Sequence, residues 1–282
     1  MARWFVFAAW LTLCSCPPDL DEAPAYILVE GFELTTEAGE GASTADIREV
    51  WAFADGDFIG VFPLPARIPL FRSGPVSLRL EAGIRQDGRS VTPDIYPFYA
   101  PVERSLELVP EATVPLGTLA IGYRDEAEFG FVEDFEPASP RIFTDILTPG
   151  NAIRVQTETV RSGVAAGAIE LSDTSRLFEV ATAASYRDLN TVPINVWLEV
   201  DYLADAPTVF GVIGARNVGS TRVFDPGFLP RPAWTKIYFN LGPVIGSAGL
   251  DELRVALSSL LPDDLTAGTV YLDNVKLLYF VP

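Results

Sequence analysis

Over residues 26 to 123, apolar and polar residues alternate in short runs broken by Gly, Pro and Asp, the pattern of half-buried strands separated by turns. Tyr26, Leu28 and Glu30 alternate with Ile27, Val29 and Gly31 in the first run, and Val50, Ala52 and Ala54 alternate with Trp51 and Phe53 in the second. Asp55-Gly56 predicts a tight hairpin, because Gly accepts positive φ, and residues 58 to 62 form the returning strand. Pro63, Pro65 and Pro69 then restrict the chain to a sheet edge or an extended connection, since each removes a ladder donor. Val76, Leu78 and Leu80 make a further alternating set, which Gly83 is expected to end. Tyr96, Phe98 and Tyr99 stand among Pro93, Pro97 and Pro101 and read as an irregular strand packing its rings on the core, with a sugar platform as the alternative.

The charged stretch Tyr123-Arg124-Asp125-Glu126 interrupts this pattern and places a boundary there. Beyond it, strands are predicted at residues 131–136, 166–171, 195–202, 208–215, 234–241, 252–257 and 270–277. No long apolar stripe of helical period appears, so helices should be few. Strands in this number, joined by long loops, predict an antiparallel sandwich of jelly-roll type.

Composition narrows the chemistry. Asp and Glu outnumber Lys and Arg by 38 to 20, giving a net charge of −18, and no Lys/Arg-rich run exists. Nucleic acid, which requires clustered positive charge, is excluded as a partner. Solubility is the plain consequence of the acidity; calcium binding and repulsion from an anionic surface are its alternatives. There is no histidine, which removes the commonest general base, the commonest metal ligand and any Ser-His or Cys-His nucleophile. Catalysis would fall to carboxylates, Lys, Tyr or a hard metal ion.

The N-terminus is a secretion signal: Arg3 supplies a basic start, residues 5 to 13 an apolar run, and Ser15 a small residue ahead of Cys16. The run is far shorter than the roughly 20 residues of a spanning helix. Leu13-Cys14-Ser15-Cys16 resembles the bacterial lipobox. That resemblance implies a signal peptide over 1–15, a covalent lipid on Cys16 and anchoring to the outer membrane. Cys14 would leave with the signal peptide, so no disulfide is expected in the mature chain, and zinc or copper sites are disfavoured. Residues 16–24, rich in Pro and acid, read as a flexible tether. Their acidic residues resemble the export signal of surface lipoproteins in Bacteroidota. Prolines stand where that signal begins its acidic pair, so the cell-surface and periplasmic orientations both stay open.

Two further resemblances concern folds. Trp51-Ala52-Phe53-Ala54-Asp55-Gly56, Ile59-Gly60, Ile68-Pro69 and Leu78-Arg79-Leu80-Glu81-Ala82-Gly83 resemble a PEGA-type or related immunoglobulin-like module. The strands E-D-F-E (from Glu133), S-G-x-x-x-G-x-I-x-L (from Ser162), W-x-K-I-Y-F-N-L (from Trp234) and V-Y-L-D-N-V-K-L (from Val270) resemble galactose-binding-like jelly rolls, a fold found in many carbohydrate-binding modules. The expected fold class is therefore all-β, an immunoglobulin-like β-sandwich over 25–123 followed by a jelly-roll β-sandwich over 124–282.

Four constellations bear on function. Jelly rolls of this kind often hold a structural ion between their first and last strands, which implies Ca²⁺ at Glu133, Asp134, Glu136 and Asp273; the alternative is that these are solvated strand ends and a bulge. Alternation places Trp197, Glu199 and Asp201 on one strand face, an indole beside two carboxylates, suited to stacking on a sugar ring. The alternative there is a Trp packed beneath a loop with the acids at its rim. Glu199-Val200-Asp201 also resembles the start of a jelly-roll glycosidase motif, but Leu203 and Ala204 occupy the positions of the second carboxylate that retaining hydrolysis requires. Residues 162–167 lack the Lys-Ser/Thr ending of a phosphate loop and read as a turn into a strand. Residues 224–234 read as a surface loop presenting Phe228 and Leu229 to a partner, or folding back as a lid. The function expected is non-catalytic protein docking or scaffolding at the cell envelope, with an envelope protein as partner; glycan binding is the alternative and glycoside hydrolysis a remote one.

Overall fold

The computed structural model describes residues 23–89, 91–191, 195–215 and 220–280. The expected signal peptide, Cys16 and most of the expected tether lie outside the described residues. Strands β1 (Ala25–Leu34), β2 (Glu49–Ala54), β3 (Asp57–Pro63), β4 (Ala66–Leu70), β5 (Gly74–Arg85), β6 (Pro93–Ile95), β7 (Val102–Leu108) and β8 (Thr113–Ile121) form two facing sheets. One has the order β4-β1-β8, with β1 and β8 parallel; the other runs β3-β2-β5, and β6 and β7 share the far side of β5. Asp55 (φ 51°) and Gly56 (φ 88°) make the predicted hairpin between β2 and β3. The proline-limited stretch becomes β4, at a sheet edge as expected. Gly83 does not end its strand: β5 continues to Arg85, and the Trp51 ring lies so close over Gly83 that a Cβ there would stand 3.0 Å from the indole.

The rest of the chain builds a second sandwich. Its strands are β9 (Ala127–Glu133), β10 (Phe143–Ile146), β11 (Arg154–Gln156), β12 (Ala166–Ser172), β13 (Leu177–Thr182), β14 (Tyr186–Arg187), β15 (Val196–Ala204), β16 (Thr208–Ala215), β17 (Ser220–Phe228), β18 (Arg231–Asn240), β19 (Glu252–Leu260) and β20 (Ala267–Phe280). One sheet has the order β11-β12-β20-β15-β18, with β9 beside the C-terminal half of β20; the other has the order β10-β13-β19-β16-β17, with β14 beside β19. The single helix among the described residues, α1 (Gly242–Ala248), connects β18 to β19 and ends on Gly249 in the left-handed region. The structure is thus all-β, an immunoglobulin-like sandwich followed by a jelly roll.

Alternation explains both interiors. Val50, Ala52, Ala54, Leu78 and Leu80 fill the first, while Leu198, Val200, Phe210, Phe239 and Leu257 fill the second. Strand β15 departs from the half-buried pattern because both of its faces are covered: Val196 to Tyr202 are all buried. Trp197, Tyr238 and Leu278, on the outer side of the jelly roll, join the core of the first sandwich, where Tyr96, Phe98 and Tyr99 are 0–2% exposed. The two sandwiches therefore share an apolar seam. The turn after β5 completes it by docking on edge strand β18, where Gln86 bridges Tyr238 and the Asp87 N–H donates to the Tyr238 carbonyl at 2.9 Å. This covers backbone groups that an edge strand would otherwise present.

Candidate functional site

The face of β15 carrying Trp197, Glu199 and Asp201 lies inside the seam. Trp197 is 2% exposed and packs edge-on to Tyr96 at 5.5 Å, and both acids are 0% exposed. The expected sugar face is corrected accordingly: the first sandwich covers the indole and a saccharide cannot stack on it. The acids meet cations from neighbouring strands instead. Lys236 Nζ of β18 lies 2.9 Å from Glu199 and 3.6 Å from Asp201. The Tyr123 hydroxyl donates to Glu199 at 2.9 Å, and Lys276 of β20 donates to the Tyr123 oxygen at 3.1 Å and to the Ala42 carbonyl at 2.8 Å. Residues 39–46 cross this face as a strap: Thr44 donates to Asp201, and the Asp46 N–H donates to the Tyr238 hydroxyl at 3.0 Å. Gly41 permits the close approach. It has φ +75°, and a Cβ there would lie 2.9 Å from Val132 and 3.0 Å from the Lys276 chain.

Charges so deeply buried persist only when paired. Burial pushes the Glu199 carboxyl up, but Lys236 and Lys276 more than offset this and hold it below the ordinary value. Burial likewise depresses Lys236, and Asp201 and Glu199 more than restore it. Lys276 has weaker compensation: burial lowers it to about 8 despite Glu199. The charges of this cluster all belong to the jelly roll, and the first sandwich closes over them through hydrogen bonds from Thr44 and Tyr123 and to the Ala42 carbonyl.

The four acids expected to share Ca²⁺ are spread over separate hydrogen-bond networks. Glu133 accepts from Arg141 and the Ile142 N–H, Asp134 from the Glu136 N–H and Ser139, and Asp273 from the Arg161 and Ser162 N–H groups. Glu136 sits in the turn at residues 162–165, accepting from Val164 N at 2.7 Å and Ala165 N at 3.2 Å, where a Cβ on Gly163 would come within 2.1 Å of its oxygen. This anion-binding backbone curl is filled by the chain's own carboxylate. Among the described residues no three of the acids converge as metal ligands. Asp273 is buried in the same region, and that burial raises its carboxyl to about 7 against the pull of the Ser162 N–H.

The stretch expected to be a loop around Phe228 and Leu229 is largely strand. β17 runs through Phe228, and β18 restarts at Arg231. Pro226 fits because the ladder to β16 shifts register beside it, between Val209 and Gly211. Phe228 is 3% exposed and stacks on Tyr202 at 3.8 Å, so it is not a partner contact; Leu229 is 75% exposed at the turn.

That turn borders an open cleft, a volume of about 690 Å³ between the sandwiches. The first sandwich contributes Asp46, Arg48, Arg85, Asp87 and Arg89, and the jelly roll contributes Arg231, Pro232, Lys236 and Ile237. The basic residues went unnoticed in the sequence because they are scattered over nearly 190 positions and only the fold brings them together. Lys236 and Lys276 did leave a signal: each is a lone cation inside an apolar strand segment, which predicts a buried partner.

No family model and no curated protein matches this chain. Among solved structures it is similar to a family 30 carbohydrate-binding module, at 15% identity and a TM-score of 0.42, covering 55% of this chain and 89% of that one. It is also similar to carbohydrate-binding modules of the β-sandwich superfamily described as having promiscuous specificity, at 13% identity and a TM-score of 0.40, covering 92% and 99%. A third is the CBM22-1 xylan-binding domain from Paenibacillus barcinonensis Xyn10C, at 14% identity and a TM-score of 0.36, covering 56% and 99%. Similarities at this level assign no ligand and no site residue to this chain.

Proposed function

We propose that this chain is a non-catalytic binding protein of the bacterial cell envelope, tethered through a lipid on Cys16, which holds a glycan in the cleft between its two sandwiches. The cleft carries the reading. Its volume of about 690 Å³ falls in the range of roughly 300–1,000 Å³ common to ligand sites, and its walls come from two bodies joined by a shared apolar seam. Ile237 and Pro232 offer apolar surface to a sugar ring, while Thr235, Asp87 and the arginines offer partners to its hydroxyls. The non-catalytic reading is supported, for glycoside hydrolysis, by Glu199 and Asp201 being sealed against Lys236, with Leu203 and Ala204 where a second catalytic carboxylate would stand. Titration of the mature chain against a glycan panel tests the reading: saturable binding is expected, weakened at least about tenfold, or about 1.4 kcal/mol, when Ala233→Trp fills the cleft. A panel without any binder overturns it. Mass spectrometry of the mature protein tests the anchor, which requires an acylated Cys16 at its N-terminus.

Leu229, 75% exposed beside the cleft, favours a second reading in which an envelope protein docks there. A stoichiometric partner recovered from membranes with the native chain and lost with Leu229→Asp would support docking.

A further inference from the structure

Five of the chain's 20 Lys and Arg residues line the interdomain cleft, against two of its 38 acids, although the whole molecule carries −18. Most of this charge is already balanced. Arg48 pairs with Asp46, Arg85 with Glu49 at 2.9 Å, and Lys236 with Glu199 at 2.9 Å. The remaining two cations, Arg89 and Arg231, are exposed and have no carboxylate within salt-bridge distance among the described residues; Arg231 hydrogen-bonds the Tyr202 hydroxyl. Asp87 provides an independent observation. Its Oδ1 is buried without a hydrogen-bond partner, and its backbone is held at φ 55°, a conformation uncommon for a non-glycine residue, while its N–H donates to the Tyr238 carbonyl at 2.9 Å. A buried acceptor left unmade is costly; Arg89 acts on the Asp87 carboxyl through its charge but forms no ion pair with it, so this wall of the cleft is short of a donor and presents two exposed guanidinium groups without a carboxylate partner at salt-bridge distance among the described residues.

From these positions we infer that the ligand of the cleft is an anionic saccharide, whose acidic groups are held by Arg89 and Arg231 while a ring hydroxyl donates to Asp87. The inference rests on the glycan reading of the same cleft and adds the charge class. A neutral saccharide could use the Asp87 acceptor but would leave both guanidinium groups in water. A simple inorganic anion could use the guanidinium groups but would supply no hydroxyl. Guanidinium suits the task because its planar fork matches a carboxylate or sulfate with paired hydrogen bonds. A net-negative protein repels anions at long range, so binding must come from short-range pairing inside the cleft and weaken as salt rises.

The test titrates the full mature chain with oligogalacturonate and its methyl-esterified counterpart, and in parallel with dextran sulfate and dextran. Carboxylate and sulfate as the source of charge are thereby read separately. In at least one pair the anionic member should bind at least about tenfold tighter than the neutral one, the scale of one charge-assisted hydrogen bond. Arg231→Gln and Arg89→Gln should each remove about that factor, and Asp87→Asn should weaken the anionic and neutral ligands alike. Arg222→Gln, on the opposite sheet, should bind as the parent does. Both cleft arginines are exposed, so unchanged melting of their variants will show that the fold is intact. Equal binding of neutral and anionic members, or an equal loss with Arg222→Gln, overturns the charge class and leaves the glycan reading standing. No binding of these probes or of the wider glycan panel overturns both.

Discussion

On one outer face of the jelly roll, Lys236 and Glu199 meet at 2.9 Å with side chains 1% and 0% exposed; on the opposite face, Arg222 and Glu179 meet at 3.2 Å with side chains 47% and 18% exposed. The two pairs share their chemistry but not their dielectric surroundings. In the seam, water cannot replace a lost partner, and each charge is tolerated only because its counter-charge is fixed nearby. On the open face, where Arg254–Asp145 and Arg187–Glu252 form similar pairs, water and salt compete for every contact. The buried pairs sit within the jelly roll and bind the first sandwich through the hydrogen bonds of Thr44, Tyr123 and Ala42, whereas the exposed ones mainly keep a sheet surface soluble.

The largest effect should come from breaking the buried cluster. Lys236→Ala leaves Glu199 and Asp201 buried without their main counter-charge and is expected to cost about 3–5 kcal/mol in a denaturant titration. A loss below 1 kcal/mol would mean that the seam admits water and would remove the contrast between the two faces.

A pH profile should sharpen the contrast at the next scale. Glu199 is held below its ordinary value of 4.5, so its stabilising contribution is present above that pH and is lost as the pH falls through the lower folded value. Asp273 has the opposite sign. Its carboxyl is raised from 3.8 to about 7, so the corresponding stability is present below 3.8 and is lost as the pH rises through about 7. Each unit of displacement corresponds to about 1.4 kcal/mol. Asp273→Asn should therefore flatten the decline between those limits while leaving the acid limb set by Glu199. Thermal melts across this range check both limbs, and an unchanged slope in the variant would remove Asp273 from the account.

The smallest effect belongs to the open face. Arg222→Ala should change stability by less than about 1 kcal/mol, and added salt should shrink even that. A larger loss in calorimetry would show that the sheet surface contributes more than solubility.

The strands at the heart of both sandwiches were legible because alternation and turn residues agree: residues 208–215 were read as a strand and form β16. Burial of Trp197, Glu199 and Asp201 was not legible, since a strand covered on one side by a second domain has the same alternating spelling as one facing water. Strand β17 was masked by Pro226 and Gly227, which read as loop signals but sit at a register shift. The cleft could not be read locally at all. Arg89 and Arg231 lie far apart in sequence, and they line one cleft only because the turn after β5 docks on β18.

The pairing of β1 with β8 bears on how the molecule carries load. β1 begins at Ala25, directly after the proposed tether, and β8 leads through Tyr123 into the jelly roll. The two strands are parallel, with register running from Tyr26–Thr113 to Leu34–Ile121. Tension between the proposed N-terminal anchor and a load on the second sandwich would pull these strands along their length in opposite directions. Their hydrogen bonds would then be loaded in shear together instead of peeling apart one at a time, so the attachment point of the tether coincides with a mechanical clamp.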